Sequence, residues 1–262
     1  MRDTDDDFTG RWFRVVKWHP KPRVRLLCFP HAGGAASFFR SWGELVPADV
    51  ELISVCYPGR EDRLLESPIG KMEHLVAPLV RECSRILGEP LAFFGHSMGA
   101  SVAYETALHL EELYGTRLSL LAASGRPGPG HDQKSGDRGQ VSDSELMRDV
   151  GLLGGTEDQA FEDPELRELI LPAIRADYRL MEQYKPSAST LAARVIAYYG
   201  DADPDLDEAA VAAWSMIAGG GFEARSFAGG HFYLVDHAQE VLSNLFDHLD
   251  ISGDGSSASL PS

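Results

Sequence analysis

The sequence predicts an α/β protein, with a mostly parallel central sheet flanked by helices and one helical insertion. Three observations carry that expectation. Short apolar runs alternate with helical patterns along most of the 262 residues, the order expected when crossover helices connect parallel strands. Several runs, such as VRLLCF and LISVCY, are apolar on both faces, as strands buried between two helix layers must be. From Arg126 to about Ser189 the alternation lapses, and no good strand is visible.

Taken in order, residues 1–9 are polar and acidic and are expected to fray. They lack an apolar core segment, so no secretory leader is expected. The stretch 11–25 holds six Lys/Arg and no Asp or Glu, together with Trp12, Phe13 and Trp18. Two readings stay open for it: aromatics packed on the sheet, or a docking patch. Strands are predicted at 24–29, 52–57, 91–94, 118–123, 194–199 and 222–227. A helix follows Lys71, because Met72, Leu75, Val76, Leu79, Val80, Cys83, Ile86 and Leu87 recur at helical spacing. Further helices are predicted at 97–114 and 237–249. The insertion, 126–189, opens on the Gly/Pro-rich RPGPGHDQKSGDRGQ, expected to be mobile. It continues with helical patterns at 142–150, where Ser142 and Glu145 have capping-box spacing, and at about 164–184. An all-helical insertion between two strands is a natural lid. The core is thus expected in two parts, 10–125 and 190–250, followed by a polar tail at 251–262.

The net charge of −16 argues against nucleic acid or an anionic membrane surface as partner. No apolar run approaches the ~18 residues that span a bilayer. Cys28, Cys56 and Cys83 form no CxxC pair and are expected as buried free thiols in a reducing cytoplasm. The histidines show no metal-ligand spacing, and neither metal nor cofactor is expected.

The chemistry gathers around PLAFFGHSMGASVAYETALHL. A serine hydroxyl is a weak nucleophile unless it is exposed to a base and held near oxyanion donors. A sharp strand-to-helix turn does this, lifting the side chain out of the sheet beside a helix N-terminus. Close backbone approach on both sides leaves no room for Cβ atoms, and Gly95 and Gly99 supply that room. Ser97 is therefore the candidate nucleophile at a G-x-S-x-G elbow. Such an elbow takes its acid and its histidine, in that order, from loops after later strands. After RVIAYYG stand Asp201 and Asp203; Asp203 is favoured because it precedes proline and lies further from the strand end. After FEARSF comes AGGHF, and His231 is favoured as base over His237, which opens the last helical run. The oxyanion hole needs two backbone N–H groups. Met98, next to the nucleophile, should give one; the loop after 24–29 should give the other, from Ala32 with Gly33 as fallback.

The set CFPHAGGAASFFRSW, YPGREDRLLE, FFGHSMGASVAYETA, YYGDADP and FAGGHFYL resembles the type II thioesterases, stand-alone α/β-hydrolases that accompany polyketide and nonribosomal peptide synthases. The resemblance spans about residues 11–250. It implies an α/β-hydrolase fold with a lid at 126–189. It also implies hydrolysis of acyl thioesters on the phosphopantetheine arm of an acyl carrier protein, an editing role that frees stalled synthases. Carried across, the serine is Ser97, the acid Asp203, the histidine His231, and the oxyanion donors Ala32 and Met98. A cytoplasmic monomer is expected. Arg60 of the PGRE element has no catalytic role derivable from the sequence, and a turn with a surface ion pair is the expectation there. A carboxylesterase, an acyltransferase or a non-catalytic carrier-binding chaperone are the alternatives.

Overall fold

A computed structural model describes residues 11–131 and 164–249. Seven strands form one sheet: β1 (Phe13–Lys17), β2 (Val24–Phe29), β3 (Val50–Val55), β4 (Leu91–His96), β5 (Leu120–Ser124), β6 (Arg194–Gly200) and β7 (Phe222–Phe227). Their spatial order is β1-β3-β2-β4-β5-β6-β7. Only β1 runs antiparallel, against β3; the other neighbours are parallel. Six of these strands were predicted, with boundaries that move by up to two residues. The seventh, β1, lies inside the basic stretch and has a single fully buried residue, Phe13. An edge strand in contact with solvent has no reason to be apolar throughout; β7, the other edge, was still legible because glycines bracket it, whereas β1 merges into the basic stretch.

The helices are α1 (Met72–Cys83), α2 (Met98–Tyr114), α3 (Pro164–Gln183), α4 (Glu208–Ala212), α5 (Tyr233–Asp236) and α6 (Ala238–His248). Side chains alternate across the sheet because successive Cβ atoms point to opposite faces. Leu27, Ile53, Phe93, Leu121 and Val195 pack in one cluster with Val76 and Leu79 of α1, Val102 of α2 and Leu180 of α3. Their neighbours Leu26, Leu52, Phe94, Leu120 and Ile196 pack in the other, with Phe39, Trp42 and Val241 and Leu245 of α6. The central strands are therefore buried on both faces, which is why they read as continuous apolar runs.

The basic stretch is tied down. Arg11 and Arg14 pair with Glu66 and Asp62, and Lys17 Nζ donates to the carbonyls of Val46 and Pro47. Phe13 is buried and Trp12 packs on the core, while Trp18 is exposed. These contacts favour the packing reading of the stretch. The helix predicted at 142–150 and the opening loop of the insertion lie mostly outside the described residues, as do 1–9 and 251–262. The parallel strands share one direction, so the loops that follow β2, β4, β6 and β7 collect along a single edge of the sheet.

Candidate active site

Ser97 joins β4 to α2 with φ 55 and ψ −119, a backbone conformation that a non-glycine residue rarely adopts. Its N–H donates to the Ser124 carbonyl at 2.7 Å, which holds the turn to the neighbouring strand. The flanking glycines are required by contact. A Cβ on Gly95 would stand 2.3 Å from the Gly99 carbonyl oxygen, and one on Gly99 would stand 2.0 Å from that of Phe29. The start of α2 therefore lies against the end of β2, where the loop with Ala32 begins. Met98 is the first residue of α2, and the first N–H groups of a helix have no intrahelical acceptor.

His231 and Asp203 meet on the adjacent loops after β7 and β6. His231 Nδ1 donates to Asp203 Oδ2 at 2.7 Å, and both side chains are buried. A carboxylate only accepts, so Nδ1 carries a proton, and in the neutral form of the ring Nε2 is the acceptor. Asp203 Oδ1 also accepts the N–H of Asp205. Asp201 is exposed and does something else: its Oδ1 accepts the Gly229 N–H at 3.0 Å, tying the two loops together. His237, the rival histidine, pairs with Glu240 at the start of α6.

Two further histidines crowd this place, although the sequence reading left both as ordinary residues. The His96 ring lies 4.9 Å from that of His231 and 6.0 Å from that of His31, centroid to centroid. His96 Nδ1 is hydrogen-bonded to Ser124 Oγ, which is hydrogen-bonded to Tyr233 Oη. Burial, then the nearby His231 and His31, push the His96 pKa well below its usual value, so this ring stays neutral. Phe232 stands edge-on to all three rings. The alternation of polar and apolar residues carries no signal for such a cluster, because its members come from the end of β4 and from the loops after β2 and β7.

Arg60 departs from the expectation of a surface ion pair. Its guanidinium is buried and forks onto the equally buried Asp177 of α3. Asp177 in turn accepts the N–H of Gly33 at 2.7 Å. Gly33, the fallback oxyanion donor, thus has its N–H engaged within the protein, and Ala32 stays the candidate on that loop. The expectation failed because the partner carboxylate is contributed by a helix 117 positions away.

Among the described residues, Cys56, Glu61 and Asp62 bring donor atoms within 4.8 Å of one another. Glu61 accepts the Ser37 N–H and Asp62 pairs with Arg14, so both carboxylates are engaged by the protein. Burial pushes the Cys56 thiol up to about 11, away from the thiolate a metal would need. Cys28, Cys56 and Cys83 are all free and buried. Among the described residues no helix is long and apolar enough to cross a membrane.

With this geometry in hand, the chain was compared with known proteins. The thioesterase domain family matches residues 24–249. Thioesterase PikA5 of Streptomyces venezuelae is 42% identical over 248 residues, which cover 92% of this chain and 86% of that protein. The solved structure of the type II thioesterase BorB, from the borrelidin biosynthetic cluster, matches with a TM-score of 0.84 at 37% identity. That match covers 92% of this chain and 98% of BorB. The thioesterase RedJ, from the prodiginine biosynthetic pathway in Streptomyces coelicolor, matches with a TM-score of 0.78 at 33% identity, over 87% of this chain and 86% of its own.

Proposed function

The chain belongs to the thioesterase family, and from that premise we propose that it hydrolyses acyl thioesters carried on the phosphopantetheine arm of acyl carrier proteins. In this reading it edits a polyketide or nonribosomal peptide assembly line, with Ser97, His231 and Asp203 as its triad. Relatives from the borrelidin biosynthetic cluster and the prodiginine biosynthetic pathway support the setting. The observation that carries the mechanism is the buried hydrogen bond from His231 Nδ1 to Asp203 at 2.7 Å, on loops at the same sheet edge as the strained Ser97 turn.

The steps follow from these groups. His231 Nε2 takes the hydroxyl proton of Ser97 as Oγ attacks the thioester carbonyl carbon. The carbonyl oxygen gains negative charge, which the N–H groups of Met98 and Ala32 receive. Asp203 keeps the proton on Nδ1 and steadies the imidazolium. The tetrahedral centre collapses, the C–S bond breaks, and His231 returns its proton to the departing thiol. A water activated by His231 then attacks the acyl-serine, releasing a carboxylic acid and restoring the Ser97 hydroxyl. Each step is a proton transfer or an acyl transfer, and the residues named supply both. The insertion that contains α3 serves as lid over the acyl chain, and the enzyme works as a cytoplasmic monomer.

The test is turnover of a panel of acyl carrier proteins against the matching small oxygen esters. Faster release from the carrier thioesters supports the proposal. Equal or faster cleavage of the oxygen esters overturns it in favour of a general carboxylesterase.

A further inference from the structure

We propose that Arg60 and Asp177 form a positioning device for the oxyanion loop, through which α3 sets the geometry of the Ala32 N–H. This deepens the function proposed above and rests on its reading of Ser97 and Ala32. The pair holds the loop by two successive residues. Asp177 Oδ2 accepts the Gly33 N–H at 2.7 Å, and Arg60 Nη1 donates to the Gly34 carbonyl at 3.1 Å. The two side chains meet as a fork on a fork, Nη1 to Oδ2 and Nη2 to Oδ1, each at 3.0 Å. Asp177 is 2% exposed and Arg60 7%. A third tie reaches the start of the loop, where Tyr57 Oη donates to the Pro30 carbonyl at 3.3 Å.

The seat of α3 on the loop is equally close. Gly33 has φ +75, and a Cβ there would stand 2.9 Å from Cγ1 of Ile174, one turn before Asp177 on α3. Ala173, the residue before Ile174, faces Gly59 of the Arg60 segment. One stripe of α3 thus touches both the oxyanion loop and the segment that carries Arg60.

Stability alone is a weak reason to bury such a pair, since apolar residues of similar volume commonly do as well. Geometry is a better one. An oxyanion hole works only when its donors lie at about 2.7–3.1 Å from the place where charge develops. The ion pair fixes the amide and the carbonyl that follow Ala32, leaving its own N–H little freedom. The charges also balance. A lone carboxylate beside the loop would oppose the developing oxyanion, and the Arg60 guanidinium cancels it.

The experiment uses Asp177→Asn and the double variant Arg60→Met/Asp177→Leu, with a small acyl thioester as substrate. The double variant leaves no buried charge unpaired, but the Gly33 amide and the Gly34 carbonyl lose these partners, so it should stay folded with a melting temperature lowered by several degrees. Both should lower kcat by ~10–100-fold with KM changed less than about twofold. Affinity for a trifluoromethyl ketone, which forms a tetrahedral oxyanion on Ser97, should fall by the same factor. Affinity for a thioether analogue, which forms none, should hold. Full kcat in the double variant, or equal losses of both inhibitors, would overturn the proposal. In the unaltered protein, the Gly33 amide should exchange as slowly as those of β2, and fast exchange would count equally against it. If Ser97→Ala stays active, the reading of the site itself fails; if activity depends on Ser97 but ignores the pair, only this inference does.

Discussion

Two buried acid–base pairs stand at the same edge of the sheet, and they are built in opposite ways. His231 and Asp203 lie 28 positions apart, on loops that leave the neighbouring strands β6 and β7. Arg60 and Asp177 lie 117 positions apart, one on the turn after β3 and the other on α3. The first pair is assembled by strand order, because parallel neighbours deliver their following loops to the same place. The second is assembled by the packing of a helix onto two loops. The comparison teaches that the pair proposed to react sits where the topology alone brings it together. The pair proposed to steady the oxyanion loop comes from elsewhere in the chain, where α3 folds back onto it.

The sharpest way to break this comparison is to remove the proposed nucleophile. Ser97→Ala should lower turnover by about 10⁴-fold or more, with little change in stability, since one hydroxyl is lost. A variant that keeps a tenth of the activity would dissolve the first pair's claim to catalysis. Next comes the choice between the two aspartates. Asp203→Asn should lower kcat by about 10³–10⁴-fold through the wrong imidazole tautomer. Asp201→Asn should do far less, because its amide oxygen can still accept from Gly229. Equal losses would show that loop closure, rather than the orientation of His231, governs the site.

The second pair is tested by stability. Arg60→Met leaves the Asp177 carboxylate buried and unpaired, and should cost about 3–5 kcal/mol in urea unfolding. A shift under about 1 kcal/mol would mean that water reaches this carboxylate. The smallest effect concerns His96, whose ring is faced by His31 and His231. Its pKa in the folded state lies below the ordinary 6.5, chiefly through burial. The unfolded chain therefore binds a proton that the folded one refuses. Stability is whole above the ordinary value and declines as pH falls below it. His96→Gln should flatten that decline, read as urea midpoints across about pH 5–8. An unchanged slope would assign the acid sensitivity to other groups.

Much of this site was legible from residue order. The glycines around Ser97 announced a tight strand-to-helix turn, and the clash distances at Gly95 and Gly99 give the reason. Asp203 was preferred over Asp201 because it precedes proline and lies further from the strand end, and it is Asp203 that reaches His231. β1 was hidden inside the basic stretch, whereas β7, an edge strand with one buried residue as well, was legible between the glycines that bracket it. The Arg60 partner was equally hidden, since no local pattern in PGRE says which distant acid will meet it.

The sequence by itself determined the α/β class, the strands with two apolar faces, and the order in which serine, aspartate and histidine follow them. These are local or topological properties, set by side-chain periodicity and by the shared direction of parallel strands. Only the tertiary structure decided that Arg60 is buried, that Asp177 takes the Gly33 amide, and that His96 lies against both His31 and His231. Those contacts join residues far apart in the chain. The contacts of Arg60, Asp177 and the Gly33 amide follow because burying an unpaired charge or amide is costly, so these groups are paired across the packing of α3 on the two loops.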